Sequence, residues 1–334
     1  MISWLYISSI NNILFVLYET NNNYIKNTVG SIHNLVYSKM IEFVFVLFIL
    51  GYMLASYSVN NYNRNMVFYG ILYGFLKSCY DLTYCYQRES KNYNVEKINI
   101  ITIAPIESLI GAFNYNANLL VSSYIIAFGS MLIDTANINT WYQNLRYFNS
   151  ETDNFISNDL EAPLLENTNT YRDEEPYERR FYFDKYIIIN IFSANLGDYI
   201  IKSRIKKETI ICDIIIFYTS SLSVSIVFIV IYLKKYLKRE LFYDLEVYNR
   251  REFLICYFLV SFINTINTIS YFIGIVIAPS ITYIKAISQS WGLILLECIS
   301  CHNNITNLND LNFLGSLVII YSIIIFYLTC YYQN

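Results

Sequence analysis

The chain has 334 residues, of which 55% are hydrophobic and only 15% charged, against roughly 25% charged in an average soluble domain. One compact core of this length cannot bury so much apolar side chain, which excludes an ordinary water-soluble enzyme and makes an all-α polytopic membrane protein the expected class. The net charge of -3 leaves no basic excess to neutralise a nucleic-acid backbone, so no nucleic acid is expected as a partner.

A helix needs roughly 20 mostly apolar residues to cross the ~30 Å hydrocarbon core. In chain order, Ile2–Tyr18 is a marginal span, broken by Ser8, Ser9, Asn11 and Asn12; with no basic start and no cleavage site it reads as a retained helix or a membrane-surface segment rather than a signal peptide. Met40–Ser58 and Met66–Tyr86 are good spans. Ile98–Phe113 is marginal, carrying Pro105 and Glu107, and Leu119–Ile133 closes the first half. Tyr186–Ile201 is again marginal, with Asn190, Asn195 and Asp198. Ile210–Leu233, Phe253–Ile277, Ser280–Ile299 and Phe313–Tyr332 complete a set of about ten predicted crossings.

The organisation follows as an N-terminal helical half (1–134), an acidic polar linker (135–184) and a C-terminal helical half (185–334). The linker holds Glu161-Ala-Pro-Leu-Leu165, which has the form of an acidic dileucine sorting signal. Cytosolic loops retain Lys and Arg, which assigns the cluster Lys234, Lys235, Lys238, Arg239, Arg250 and Arg251 to the cytosol. Lys202, Arg204, Lys206 and Lys207 lie across the span Ile210–Leu233 from that cluster, and the rule leaves them unexplained.

Charged groups inside apolar spans are the first functional candidates, because each is costly at the bilayer centre and faces a cavity or a partner. Lys77 and Asp81 are one turn apart, so they are expected either to neutralise each other or to leave Lys77 on a polar pathway. Glu107 is followed by Asn114, Asn116 and Asn118, amides suited to a polar ligand or to helix capping. Lys285, with Ser288 close by, is the sole cation between Phe253 and the C-terminus and is expected to be unpaired, either attracting an anion or snorkelling to the interface from a helix start. Glu42, near the start of its span, is expected at the interface. Cys298-Ile-Ser-Cys301-His302 matches C-x-x-C-H, but it occurs once at the end of an apolar run, so no haem is expected. His33 and His302 are the chain's two histidines, too few for a zinc site or a Ser-His-Asp triad. P-loop, GxGxxG and GxSxG motifs are absent, and the expectation is no enzyme, no cofactor and no metal.

The stretch Tyr283–Ser300 followed by Phe313–Tyr327 resembles the last two helices of nucleotide-sugar transporters, of the drug/metabolite transporter superfamily. Lys285 and Ser290 match the family's Lys-Gly-Phe-x-x-Ser helix, and Phe313, Gly315 and Val318 fit its Phe-x-Leu-Gly-x-x-Leu-Val helix with a one-residue slip. Lys235 and Lys238 fit its Tyr-Phe-Glu-Lys-x-Leu-Lys segment. Leu76-Lys77, Ala104-Pro105, Asn118-Leu119-Leu120 and Trp141–Arg146 resemble motifs of its first half.

The resemblance implies ten helices in two inverted five-helix halves, with a site near the bilayer midplane. It implies exchange of a nucleotide sugar for a nucleoside monophosphate across a Golgi or endoplasmic reticulum membrane, and it leaves a homodimer open. By carry-over, Lys285 is the main phosphate partner, and Lys77, Ser288, Asn116, Asn118, Tyr142, Gln143 and Arg146 complete the substrate site. The rival readings are a seven-helix receptor, drawn by discarding the marginal spans, and a structural membrane protein without a transported substrate. Asn304-Ile-Thr306 is a glycosylation acceptor pattern.

Overall fold

The computed structural model describes residues 3–29, 31–56, 63–89, 95–109, 117–132, 185–236, 251–287 and 310–332. The linker 135–184, the Cys298–His302 motif and Asn304 lie outside them. The described residues are helical apart from short connections, with no strand among them. The helices are α1 (Ser3–Val29), α2 (Ser31–Ser56), α3 (Asn65–Glu89), α4 (Val95–Leu109), α5 (Ala117–Leu132), α6 (Lys185–Arg204), α7 (Ile210–Tyr236), α8 (Arg251–Ile277), α9 (281–287, described to that point) and α10 (Asp310–Tyr332).

Among the described residues, Asn34–Ser56, Ile210–Lys234 and Leu254–Ile277 are long and apolar enough to cross a membrane, and Ala117–Leu132 and Phe313–Phe326 are shorter apolar helices. Side-chain placement makes the same point more strongly. The outer surface carries Phe48, Phe68, Phe75, Phe128, Phe192, Val227, Phe258, Leu259 and Leu317, all exposed. The interior holds Lys39, Glu42, Asp81, Glu107, Asn190, Asn195, Asp198 and Thr265, all buried. Water-soluble folds do the opposite, and an apolar exterior of this extent is a surface for lipid. The chain is a helical membrane protein.

Serine and threonine are tolerated in these apolar helices because their hydroxyls return to the backbone of the preceding turn. Ser8 donates to the Trp4 carbonyl, Ser78 to Gly74, Ser130 to Ile126 and Thr265 to Ser261, at 2.6–3.0 Å. The marginal character of three predicted spans has a different cause, since their polar residues face inward. On α1, Asn11 donates to the Asn267 carbonyl (2.8 Å) and side-chain oxygen (2.7 Å) of α8. On α6, Asn190 donates to Thr83 (3.2 Å) of α3 and Asn195 to Thr102 (3.2 Å) of α4.

The most extensive interface joins α3 to α7. It is close because α3 has no Cβ where it meets the α7 backbone: one on Gly70 or Gly74 would overlap the carbonyl of Phe217 or Ser221. Gly129 serves α5 in the same way, with a Cβ there lying 3.0 Å from the Gly315 carbonyl of α10. Ser122, Ser322 and Tyr283 hydrogen-bond at the α5, α10 and α9 junction, with Tyr283 donating to Ser122 at 2.5 Å.

The basic stretch from Lys202 to Lys207, which begins in the last turn of α6, also finds its reason. Lys202 turns inward and donates to the carbonyls of Val276 (3.3 Å) and Ala278 at the end of α8, satisfying groups left without helical partners. Arg204 lies over the Tyr69 ring, 5.1 Å from its centroid. Two of the stretch's four cations therefore serve packing, which weakens their weight as a topology signal.

Candidate functional site

Among the described residues, two buried ion-pair clusters occupy the interior. In the first, α2 and α3 converge on Asp81: Lys39 approaches at 2.9 Å and Lys77, one turn back on α3, at 3.0 Å. The predicted Lys77–Asp81 pair exists, and Lys39 joins it. Lys77 is the most accessible member, 33% exposed, with its ammonium 4.3 Å from the Tyr80 ring centroid. Glu42 lies one turn beyond Lys39 on α2. It is buried rather than interfacial as predicted, because Tyr218 of α7 donates to it at 3.0 Å and Asn264 of α8 at 2.5 Å. Lys39, Lys77, Asp81 and Glu42 together sum to zero charge.

In the second cluster, Lys285 of α9 contacts the Asp198 carboxylate of α6 at 2.7 Å and donates to Asn195 at 3.0 Å. The Tyr271 hydroxyl of α8 donates to the same carboxylate oxygen at 3.1 Å. Lys285 was expected to be unpaired; it is not. An ammonium 11% exposed needs a counter-charge, and the polar face of a marginal span supplies it. Asn195 and Asp198 are three residues apart, so they share one face of α6 and both reach α9.

The clusters share a wall. Tyr73 of α3 is within electrostatic reach of both Asp81 and Asp198. Gly197, next to Asp198, lets it in: a Cβ at that position would sit 2.9 Å from the Tyr73 ring. Tyr73, Phe217, Tyr218 and Phe272 stack edge-on or tilted around this wall, at centroid separations of 5.1–5.7 Å.

Glu107 faces a partner helix. It accepts from the Ser280 hydroxyl (2.5 Å), the Ile281 N–H (2.8 Å), the Thr282 N–H (3.4 Å) and the Thr282 hydroxyl (2.6 Å). A carboxylate at the first turn of α9 satisfies its free N–H groups and complements the helix dipole, so Glu107 is a cap supplied by another helix and is not left for a ligand. Asn118 lies half-buried in the first turn of α5. Ser288, Asn114, Asn116, Tyr142, Gln143 and Arg146 lie outside the described residues.

Of the predicted site, then, Lys77 and Lys285 face one interior from α3 and α9. Lys39, Asp198, Asn195, Tyr271 and Tyr73 were missed. Four of these were visible as polar residues or as tyrosines within an apolar run, and Asn195 and Asp198 share the i,i+3 spacing of one helical face. Chemically, lysines held on carboxylates, ringed by amide and phenol donors, form a site where an anionic ligand can replace a carboxylate as the ammonium's partner. No protein-family model matches the chain, and no curated protein matches it.

Proposed function

We propose that the protein is a solute carrier that exchanges a nucleotide sugar for a nucleoside monophosphate across a Golgi or endoplasmic reticulum membrane. The observation that carries this reading is the pair of buried lysine–carboxylate clusters, one built on Lys77 and one on Lys285, facing a common wall inside an apolar shell. Lys77 and Lys285 would hold the phosphate groups, and Asn195, Tyr73 and Tyr271 would serve the polar remainder of the substrate. The ordered resemblance to nucleotide-sugar transporters supplies the substrate class.

The packing supports two related five-helix halves. Advancing each helix by five turns the α3–α7 contact into α8–α2, α1–α8 into α6–α3 and α2–α3 into α7–α8, and all of these contacts occur. The α4–α6 contact corresponds to α9–α1, where Trp4 and Tyr283 meet edge-on at 5.9 Å. The sequence echoes the pattern, with Ile103-Ala104-Pro105 inside α4 and Ile277-Ala278-Pro279 leading into α9. A repeat of this kind suits alternating access, in which one half rocks against the other around a fixed site. A seven-helix receptor would discard α1, α4 and α6, yet each of these packs its polar face into the bundle.

The test is exchange in liposomes carrying the purified protein and preloaded with UMP, GMP or CMP. Uptake of a nucleotide sugar is expected to depend on one internal monophosphate and to fall to the protein-free level in Lys285→Ala. Folded protein that exchanges none of the three, or an active Lys285→Ala variant, refutes the reading.

A further inference from the structure

The two clusters differ in what happens when a ligand takes a lysine away. Asp81 has two cations, so an anion that draws off the more accessible Lys77 leaves Lys39 at 2.9 Å. Asp198 has one. If an anion takes Lys285, the carboxylate stays buried with the Tyr271 hydroxyl as its remaining donor among the described residues. Lys202, one turn on along α6, cannot step in, because it is committed to the Val276 and Ala278 carbonyls. The other titratable groups nearby are Tyr73, Tyr80, Lys77 and Asp81 on α3, Glu107 on α4 and Tyr271 on α8; Lys77 is the cation among them, and Asp81 holds it at 3.0 Å. A buried carboxylate stripped of its counter-ion is among the least favourable arrangements in a low-dielectric interior, and binding a proton relieves it.

We propose that Asp198 takes up a proton from water when an anionic substrate displaces it from Lys285, so that the carrier binds and moves its substrate together with that proton. Lys285 then faces the phosphate as an uncompensated cation, while neutral Asp198 keeps its hydrogen bond with Tyr271. The proton returns to water on the side where the substrate leaves and the Lys285–Asp198 pair closes again. This rests on the carrier reading and adds the coupling ion to it.

The experiment uses the purified full chain in weakly buffered detergent solution with a pH indicator, titrated with UDP-, GDP- and CMP-sugars. These ligands carry no group that titrates near neutrality, so any proton taken up goes to the protein. The expected result is alkalinisation of about one proton per ligand bound, with Kd weakening up to about tenfold per pH unit above neutrality by linkage. Asp198→Asn is expected to bind without proton uptake and with an affinity flat in pH. Wild-type protein that binds a nucleotide sugar with no proton uptake overturns the coupling and leaves the carrier standing. An Asp198→Asn variant that binds and still takes up the proton overturns the assignment to Asp198. If that variant does not fold, Asp198→Glu takes its place, and a pH dependence of Kd identical to that of the wild type overturns the assignment to Asp198. Folded protein that binds none of the sugars overturns both readings.

Discussion

Replacing Lys285 by Met removes the ammonium and keeps much of the side chain's length and packing volume. Asp198, 8% exposed, then loses its 2.7 Å partner, and breaking one side of a buried pair costs about 3–5 kcal/mol. Asp198→Asn is milder, because the amide oxygen and Asn195 still accept from Lys285. The double variant leaves no uncompensated charge and should recover to within about 1 kcal/mol of the parent. Thermal melting of the four proteins in one detergent reads the cycle, with the Lys285→Met midpoint falling by roughly 5–10 °C and the double variant regaining most of the drop. Transport separates structure from function: the double variant should be stable and inactive, since the phosphate partner is gone. A double variant as unstable as Lys285→Met would refute the claim that the two residues form one electrostatic unit.

Other changes test the frame. Gly74→Ala should destabilise by about 1–3 kcal/mol, because its Cβ has no room against the α7 backbone; Gly51→Ala, with nothing within 4 Å, should be neutral or stabilising by up to about 1 kcal/mol, and paired melts check both. Glu107→Ala leaves the start of α9 without its acceptor and should cost about 2–4 kcal/mol, with Glu107→Gln between it and the parent; equal melts for all three would deny the capping role. Lys77→Ala should abolish exchange in liposomes while lowering stability less than Lys285→Met, since Lys39 still holds Asp81.

The helical class and the positions of the apolar helices were legible from composition and run length, because lipid demands both. The Lys77–Asp81 pair was legible because helical spacing alone brings it together. The partner of Lys285 was not, although Asp198 was in plain view. Hydropathy counts a carboxylate as a defect in a span and carries no record of which way it points. The same blindness put Glu42 at the interface and made α1, α4 and α6 look like poor crossings, when the residues that weaken their hydropathy are the ones the bundle uses.

The inward amides of α1 also bear on how the chain is made. Asn11 finds its partner Asn267 only 256 residues later. At about 5–20 residues per second, α8 emerges roughly 13–50 s after α1. During that interval the Asn11 amide of α1 has its final partner still unmade. Maturation should therefore lag synthesis, and truncation before α8 should leave α1 open to extraction and degradation.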